Sequence, residues 1–268
     1  MIKLIACDMD GTLLDSRKRL PKNFLETVLK LKEKGVLFAV ASGRQYAALR
    51  RDLAALIPHI LFICENGALV MQNDEQILID PMDPADLYDT VTACRELEGV
   101  YPVICRAHAG ILEATAAPEF IANVCKYYPS TDVADDLTTR CGYTDVCKVA
   151  FFDEGDAQTH ELPVLSHKLG ERLDVILSGP HWVDVMKKGV SKGKAMKSLQ
   201  QKLGIAPEEC MAFGDYLNDY ELLESVGESY AMANSHEKLL AMAKYTAPSN
   251  DEDGVMRVIY ERFFSEDV

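Results

Sequence analysis

The amino-acid sequence predicts an α/β fold, a parallel-sheet core interrupted by an inserted α+β module, and three observations predict it. Short apolar runs alternate with amphipathic stretches from Ile2 to Gly67; that rhythm gives way to paired strand-like runs from about Asp83 to Lys187; it returns after Gly189. Alternating β and α units build parallel sheets through right-handed crossovers, and such sheets carry ligands at the carboxyl ends of their strands.

The elements follow in order. Ile2 to Cys7 is mostly apolar and ends in acidic residues and Gly11, as a buried parallel strand delivering a polar loop should. Asn23 to Lys34 spaces Phe24, Val28, Leu29 and Leu31 along one face and stops at Gly35, a helix with a glycine at its end. Val36 to Ala41 is a second strand, Ser42-Gly43-Arg44 opens a helix expected to run through Leu56, and Ile60 to Cys64 is a third strand ending at Glu65-Asn66-Gly67. The inserted stretch offers a helix from Ala85 to Leu97 and strands at Tyr101 to Arg106, Ile111 to Glu113, Lys148 to Phe152, Val175 to Leu177 and Trp182 to Met186, with two further helices between them. Then come a helix from Lys192 to Leu203, a strand from Cys210 to Phe213 and its tip Gly214-Asp215. The expected division is therefore a discontinuous core, 1–82 and 188–268, around an inserted domain, 83–187. No internal repeat is evident.

Composition narrows the class. A chain of 268 residues with 48% hydrophobic and 26% charged residues has ample material for a core. Its 42 acidic against 28 basic residues give a net charge of -14, a field that repels nucleic-acid phosphates and anionic membrane surfaces. No apolar run is long enough to span a bilayer, and acidic residues come too early for a signal peptide, so the expected location is the cytoplasm. Eight cysteines lie scattered without a CxxC pair and six histidines without HxxxH spacing, which fits reduced thiols and no histidine metal site. Oligomeric state is not readable. An acidic protein handling an anionic ligand would have to concentrate a cation, lysines or backbone N–H groups at one place.

Four short motifs offer such a place. Asp8-Met9-Asp10-Gly11-Thr12 sets two carboxylates two residues apart just past a strand, with a glycine that lets the backbone turn. A carboxylate can take a phosphoryl group as a hydrolysable acyl phosphate, and a second acid can protonate the leaving oxygen and then activate water. An acidic turn explains the bare motif equally well. Ser42-Gly43 could give a hydroxyl and an N–H to a phosphate, or simply cap a helix. Lys192, in Ser191-Lys192-Gly193-Lys194, stands at a helix start, where lysine opposes the macrodipole; phosphate contact is one reason, a solvated basic face with Lys194 and Lys197 another. Gly214-Asp215-Tyr216-Leu217-Asn218-Asp219 brings three oxygen-bearing side chains together, suited to magnesium, which takes a few carboxylate oxygens and keeps other positions for water or phosphate, though by itself the motif equally fits a capped helix start.

All four stand in order at strand tips or helix starts of one sheet, which independent capping motifs would rarely do. On DMDGTLLD, ASGR, SKGKA and GDYLND, the chain resembles the Cof-type branch of the haloacid dehalogenase superfamily of phosphatases over nearly its whole length. The resemblance implies a Rossmann-like core with an α/β cap inserted between the second and third motifs, and hydrolysis of small phosphomonoesters, sugar phosphates or related metabolites, through an aspartyl phosphate. It implies Asp8 as nucleophile and Asp10 as general acid/base. Phosphate would be bound by Met9, Ser42, Gly43, Lys192 and Asn218, and Mg2+ by Asp8, the Asp10 main-chain carbonyl and Asp215, with Asp219 supporting. Glu65-Asn66-Gly67 looks like the family's third strand tip. Tyr216 departs from the small residue common there, and would narrow the pocket mouth or point to solvent. A phosphomutase would use the same nucleophile, and a receiver-like regulatory protein would store the phosphoryl group; receivers are much shorter and lack the insertion.

Overall fold

The computed structural model describes residues 1–114, 116–128 and 130–265. The chain packs as two compact units, one of Met1–Gly43, Leu53–Leu78 and Ser191–Val268, the other of Arg44–Asp52 and Ile79–Val190. The second thus takes in a short helix at Tyr46–Asp52 and reaches a few residues beyond 83–187 at both ends.

The first unit is an eight-stranded sheet. In spatial order its strands are Tyr245–Ala247, Glu228–Met232, Cys210–Gly214, Leu4–Asp8, Leu37–Ala41, Ile60–Cys64, Leu69–Gln72 and Glu75–Ile79. The first six run parallel, and Leu69–Gln72 turns back antiparallel on Ile60–Cys64. Leu4 pairs with Leu37 on one side and Cys210 on the other, a register that brings the ends of three strands level. These three strands are almost wholly buried because helices cover both faces. Leu4, Ala6, Ala39, Ile63 and Ala212 pack on Met196 and Leu199 of the helix Lys192–Leu203 and on Leu222 and Leu239. On the opposite face the Phe38 ring meets Phe24 edge-on at 5.2 Å, seating the helix Phe24–Glu33.

Two local expectations change. The helix expected from Ser42 begins only at Tyr46 and ends at Asp52, with a separate turn of 3-10 helix at Ala54–Leu56. The Ser42 N–H donates to the Ile63 carbonyl and the Ser42 carbonyl accepts from Asn66 N–H, so the tip stays tied to its neighbouring strand instead of entering a helix. The helix expected over Ala85 to Leu97 is regular only over Pro84–Ala93 and closes as a 3-10 turn.

The second unit is a six-stranded sheet ordered Leu173–Gly179, Trp182–Lys187, Val146–Asp153, Val100–Arg106, Gly110–Glu113 and Thr131–Ala134, antiparallel except for the last pair. Leu87, Val91, Leu165 and Leu169 from its helices bury against Ile104, Val149, Phe151 and Val185. Beside this core sits a polar group that folding does not favour. Glu161 is fully buried, and burial, reinforced by the charges of Asp153 and Asp184, pushes its carboxyl up to about 9. The unfolded chain releases that proton near 4.5 while the folded chain keeps it to about 9, so Glu161 costs no stability below the lower value and lowers it increasingly as pH rises between the two. Glu161→Gln, which keeps the shape without the proton, is expected to raise stability at pH 8 on the order of 2 kcal/mol and to flatten its pH dependence. Thermal unfolding of both proteins from pH 5 to 9 measures this; parallel curves would refute it.

Candidate active site

Asp8 is the last residue of its strand, buried, and the chain turns immediately after it. The turn is closed by Leu13 N–H on the Asp8 carbonyl and Leu14 N–H on the Met9 carbonyl, with Met9 packed inside. Gly11 makes it possible, since its φ of +86° suits glycine and a Cβ there would lie 2.3 Å from Asp215 Oδ2. Thr12 Oγ1 donates to Asp215 Oδ1 at 3.1 Å, and Asn234 Nδ2 donates to the Gly11 carbonyl at 2.8 Å. The loop is thereby fixed against the tip of the neighbouring strand.

Lys192 supplies the cation. Ser191 caps its helix by accepting the Lys194 N–H, so the next side chain is directed across the ends of the strands. Lys192 is fully buried, and its Nζ lies 2.5 Å from Asp8 Oδ1 and 2.7 Å from Asp219 Oδ1. This excludes the solvated-face reading for Lys192; Lys194, two residues on, is exposed. Asp219 spends its other oxygen on the backbone, accepting from Asp215 N–H at 3.1 Å and Tyr216 N–H at 3.3 Å.

Asp8, Asp215 and Asp219 bring oxygens within 4.8 Å of one another, three carboxylates, two of them buried and one half-buried, against one lysine. The imbalance shows in their proton affinities. Burial, then the Asp219 charge, pushes Asp8 up to about 8 against the opposing pull of Lys192. Burial and Asp219 likewise push Asp215 up to about 6, with the Thr12 hydroxyl opposing. Lys192 is raised, because Asp219 and Asp8 outweigh the burial that would lower it. Asp8 and Asp215, pushed toward protonation, form with Asp219 a crowded set of oxygens that a hard divalent cation would relieve.

The remaining expected residues lie around this cluster. Asp10 is not in it: its side chain is partly exposed, with Oδ1 2.7 Å from Lys18 Nζ. Ser42 is buried at the end of Leu37–Ala41. Asn218 is exposed, and its amide donates to Asn66 Oδ1 at 3.4 Å. Tyr216 is 57% exposed, its ring edge-on to His236 at 5.8 Å. Sequence reasoning left Thr12, Lys18, Asn66 and Asn234 without roles. Thr12 and Asn66 stand inside quoted motifs and could have been found there; nothing local marks Lys18 or Asn234.

Comparison with known proteins places this arrangement. The family model of haloacid dehalogenase-like hydrolases matches residues 5–259. A 5-amino-6-(5-phospho-D-ribitylamino)uracil phosphatase of Escherichia coli is 30% identical over 266 residues, 96% of this chain and 95% of that one. An HMP-PP phosphatase of Citrobacter koseri is 31% identical over 249 residues, 90% of this chain and 88% of that one. Among solved structures, a haloacid dehalogenase-like hydrolase from Bacteroides thetaiotaomicron, 25% identical, superposes with a TM-score of 0.82 over 98% of this chain and all of its own. The sheet, the buried lysine among carboxylates and these matches have one reading: the chain belongs to the haloacid dehalogenase-like hydrolase family, as an enzyme of the phosphoric monoester hydrolase class.

Proposed function

We propose that the protein hydrolyses small phosphomonoesters in two in-line steps, with Asp8 as nucleophile and Asp10 as general acid/base. The observation that carries the reading is the fully buried Lys192 bridging Asp8 and Asp219, with Asp215 beside them. A buried cation fixed on a strand-end carboxylate holds that nucleophile in one orientation, and it is placed to meet the charge of the transferring oxygens. In the first step an Asp8 oxygen forms a bond to phosphorus as the ester P–O bond breaks, and Asp10 gives its proton to the departing oxygen. In the second, water loses a proton to Asp10 and attacks the same phosphorus, the P–O bond to Asp8 breaks, and the Asp8 carboxylate is regenerated.

Ser42, Gly43 and the Met9 backbone are assigned to phosphate, with Lys192 and Asn218. Mg2+ is assigned to Asp8, the Asp10 main-chain carbonyl and Asp215, and supplies charge neutralisation of the phosphoryl oxygens when bound. Asp219, whose oxygens are taken by Lys192 and two backbone N–H groups, supports the site without needing to touch the ion. The substrates are phosphorylated metabolites, sugar phosphates foremost; relatives named for a ribitylamino-uracil phosphate and for HMP-PP extend the panel to heterocyclic esters. We place the reaction in the cytoplasm, in keeping with eight cysteines outside any disulfide, seven of them buried. No helix among the described residues is long and apolar enough to cross a membrane.

The test is inorganic phosphate release across that panel with Mg2+ titrated from zero; no release from any ester at saturating metal would sink the proposal. Lys192→Met is expected to lower kcat/KM by more than about a hundredfold, and to lower stability by about 3–5 kcal/mol because Asp8 and Asp219 lose a buried counter-charge. Lys194→Met, at an exposed position, should stay within about twofold. Equal small effects at both positions would deny Lys192 its role.

A further inference from the structure

We infer that Asn66 is a positioning residue for phosphate binding, holding Asn218 and the Ser42–Gly43 tip in register. The inference rests on the phosphatase reading and adds to it a residue to which that reading gives no task.

The backbone at the end of Ile60–Cys64 is unusual. Glu65, Asn66 and Gly67 follow one another at φ +50°, +53° and +105°, so two side-chain-bearing residues occupy the left-handed region in succession. Such a conformation is strained for L residues, and asparagine tolerates it better than most. Glycine would hold the same turn with less strain, as it does one residue later. The side chain at 66 therefore carries a conformational cost, and its contacts show what it provides.

Those contacts tie together three strand ends. The Asn66 N–H donates to the Ser42 carbonyl at 3.1 Å, while Ser42 N–H donates to Ile63, which locks two parallel strand tips. The Asn66 amide then lies over Gly43 so closely that a Cβ there would sit 2.9 Å from Oδ1 and 3.1 Å from Nδ2. The same Oδ1 accepts from Asn218 Nδ2 at 3.4 Å, the one side-chain hydrogen bond Asn218 makes among the described residues. Asn218 is otherwise exposed and free to turn, so without Asn66 its amide would have to be ordered each time a phosphate arrived. Prior ordering removes that entropy from the binding step.

The experiment compares Asn66→Gly, Asn66→Ala and Asn218→Ala with the wild type, by calorimetric titration of inorganic phosphate in the presence of Mg2+, by steady-state kinetics and by thermal unfolding. Asn66→Gly keeps the left-handed backbone and deletes the amide. It is expected to weaken phosphate binding and raise KM about tenfold, the scale of one hydrogen bond, with kcat changed less and Tm equal or higher. Asn66→Ala should lose the same affinity and also stability, since alanine adds strain without contact. Asn66→Gly made on Asn218→Ala should weaken phosphate binding by less than about twofold further, because the two residues act as one unit. Wild-type phosphate affinity and KM in Asn66→Gly, or losses that follow Tm across the variants, would overturn the inference and leave the turn merely structural. The titration needs no turnover, which separates the two ideas. Hydrolysis with equal phosphate affinities would sink Asn66 alone, a tenfold difference without hydrolysis would sink the reaction alone, and a wild type that binds no phosphate would sink both.

Discussion

Asp8→Asn is expected to lower steady-state phosphate release by more than about a thousandfold while the protein stays folded. The two halves of that expectation have different physical sources. Turnover is lost because a neutral amide is a poor nucleophile and a weak ligand for a hard cation. Folding is kept because Asp8 is a buried member of a cluster of three carboxylates, its own burial and the Asp219 charge already pushing it toward the neutral form. An isosteric amide removes a charge that the site barely tolerates, and Lys192 keeps its partner Asp219 at 2.7 Å. The thermal midpoint should therefore be unchanged or higher, in contrast to Lys192→Met, which leaves two carboxylates facing each other. The measurement is phosphate release per active site by purified protein, alongside its unfolding curve. Near-normal activity in a folded Asp8→Asn protein would move the nucleophile to another residue.

What the sequence disclosed, and what it withheld, follows from how local each signal is. The strand Ile60–Cys64 and the helix Lys192–Leu203 were legible to the residue. One is a continuous apolar run. The other carries its own start and stop signals, Ser191 accepting the Lys194 N–H and Gly204 left-handed at its end. The helix expected at Ser42 was misread because the groups that forbid it, Ile63 and Asn66, lie more than a helix-length away in the chain. The hairpin Leu69–Gln72 and Glu75–Ile79 went unread, although Asn73 and Asp74, both at positive φ, make a two-residue turn of a kind asparagine favours. Thr131–Ala134 is a half-exposed sheet edge with no apolar run to announce it. At the site, the residue types were plain from four motifs, but the bonds between them were not. Lys192 meets Asp8 across 184 residues of chain, and Asn218 meets Asn66 across 152. Local pattern could not distinguish a buried lysine from a solvated one; only the closing of the sheet does.

Asp10→Asn is expected to convert steady turnover into a burst followed by a slow phase, and only when the substrate has a good leaving group. Asp10 is assigned two proton transfers, and leaving-group chemistry can bypass the first but not the second. Its placement suits that traffic: unlike Asp8 its side chain is partly exposed, outside the carboxylate cluster, with Lys18 Nζ at 2.7 Å. Its backbone is held by the turn through Gly11, which Asn234 anchors, so the substitution should leave the loop in place. With p-nitrophenyl phosphate the phenolate departs without needing a proton, so Asp8 should still be phosphorylated, and the acyl phosphate then waits for a water that nothing deprotonates. The steady rate should fall by more than about a hundredfold, the scale of a lost general base, behind a burst of one phenolate per active site. An alkyl sugar phosphate needs both transfers and should show neither burst nor appreciable turnover. Rapid-quench release of phenolate in the first turnover measures the burst, with Mg2+ affinity checked beforehand because the Asp10 carbonyl is an assigned ligand. An unchanged steady rate on both substrates would give the acid/base role to another residue, and loss of the burst together with the steady rate on the aryl ester would mean that Asp10 is needed before the phosphoryl group reaches Asp8.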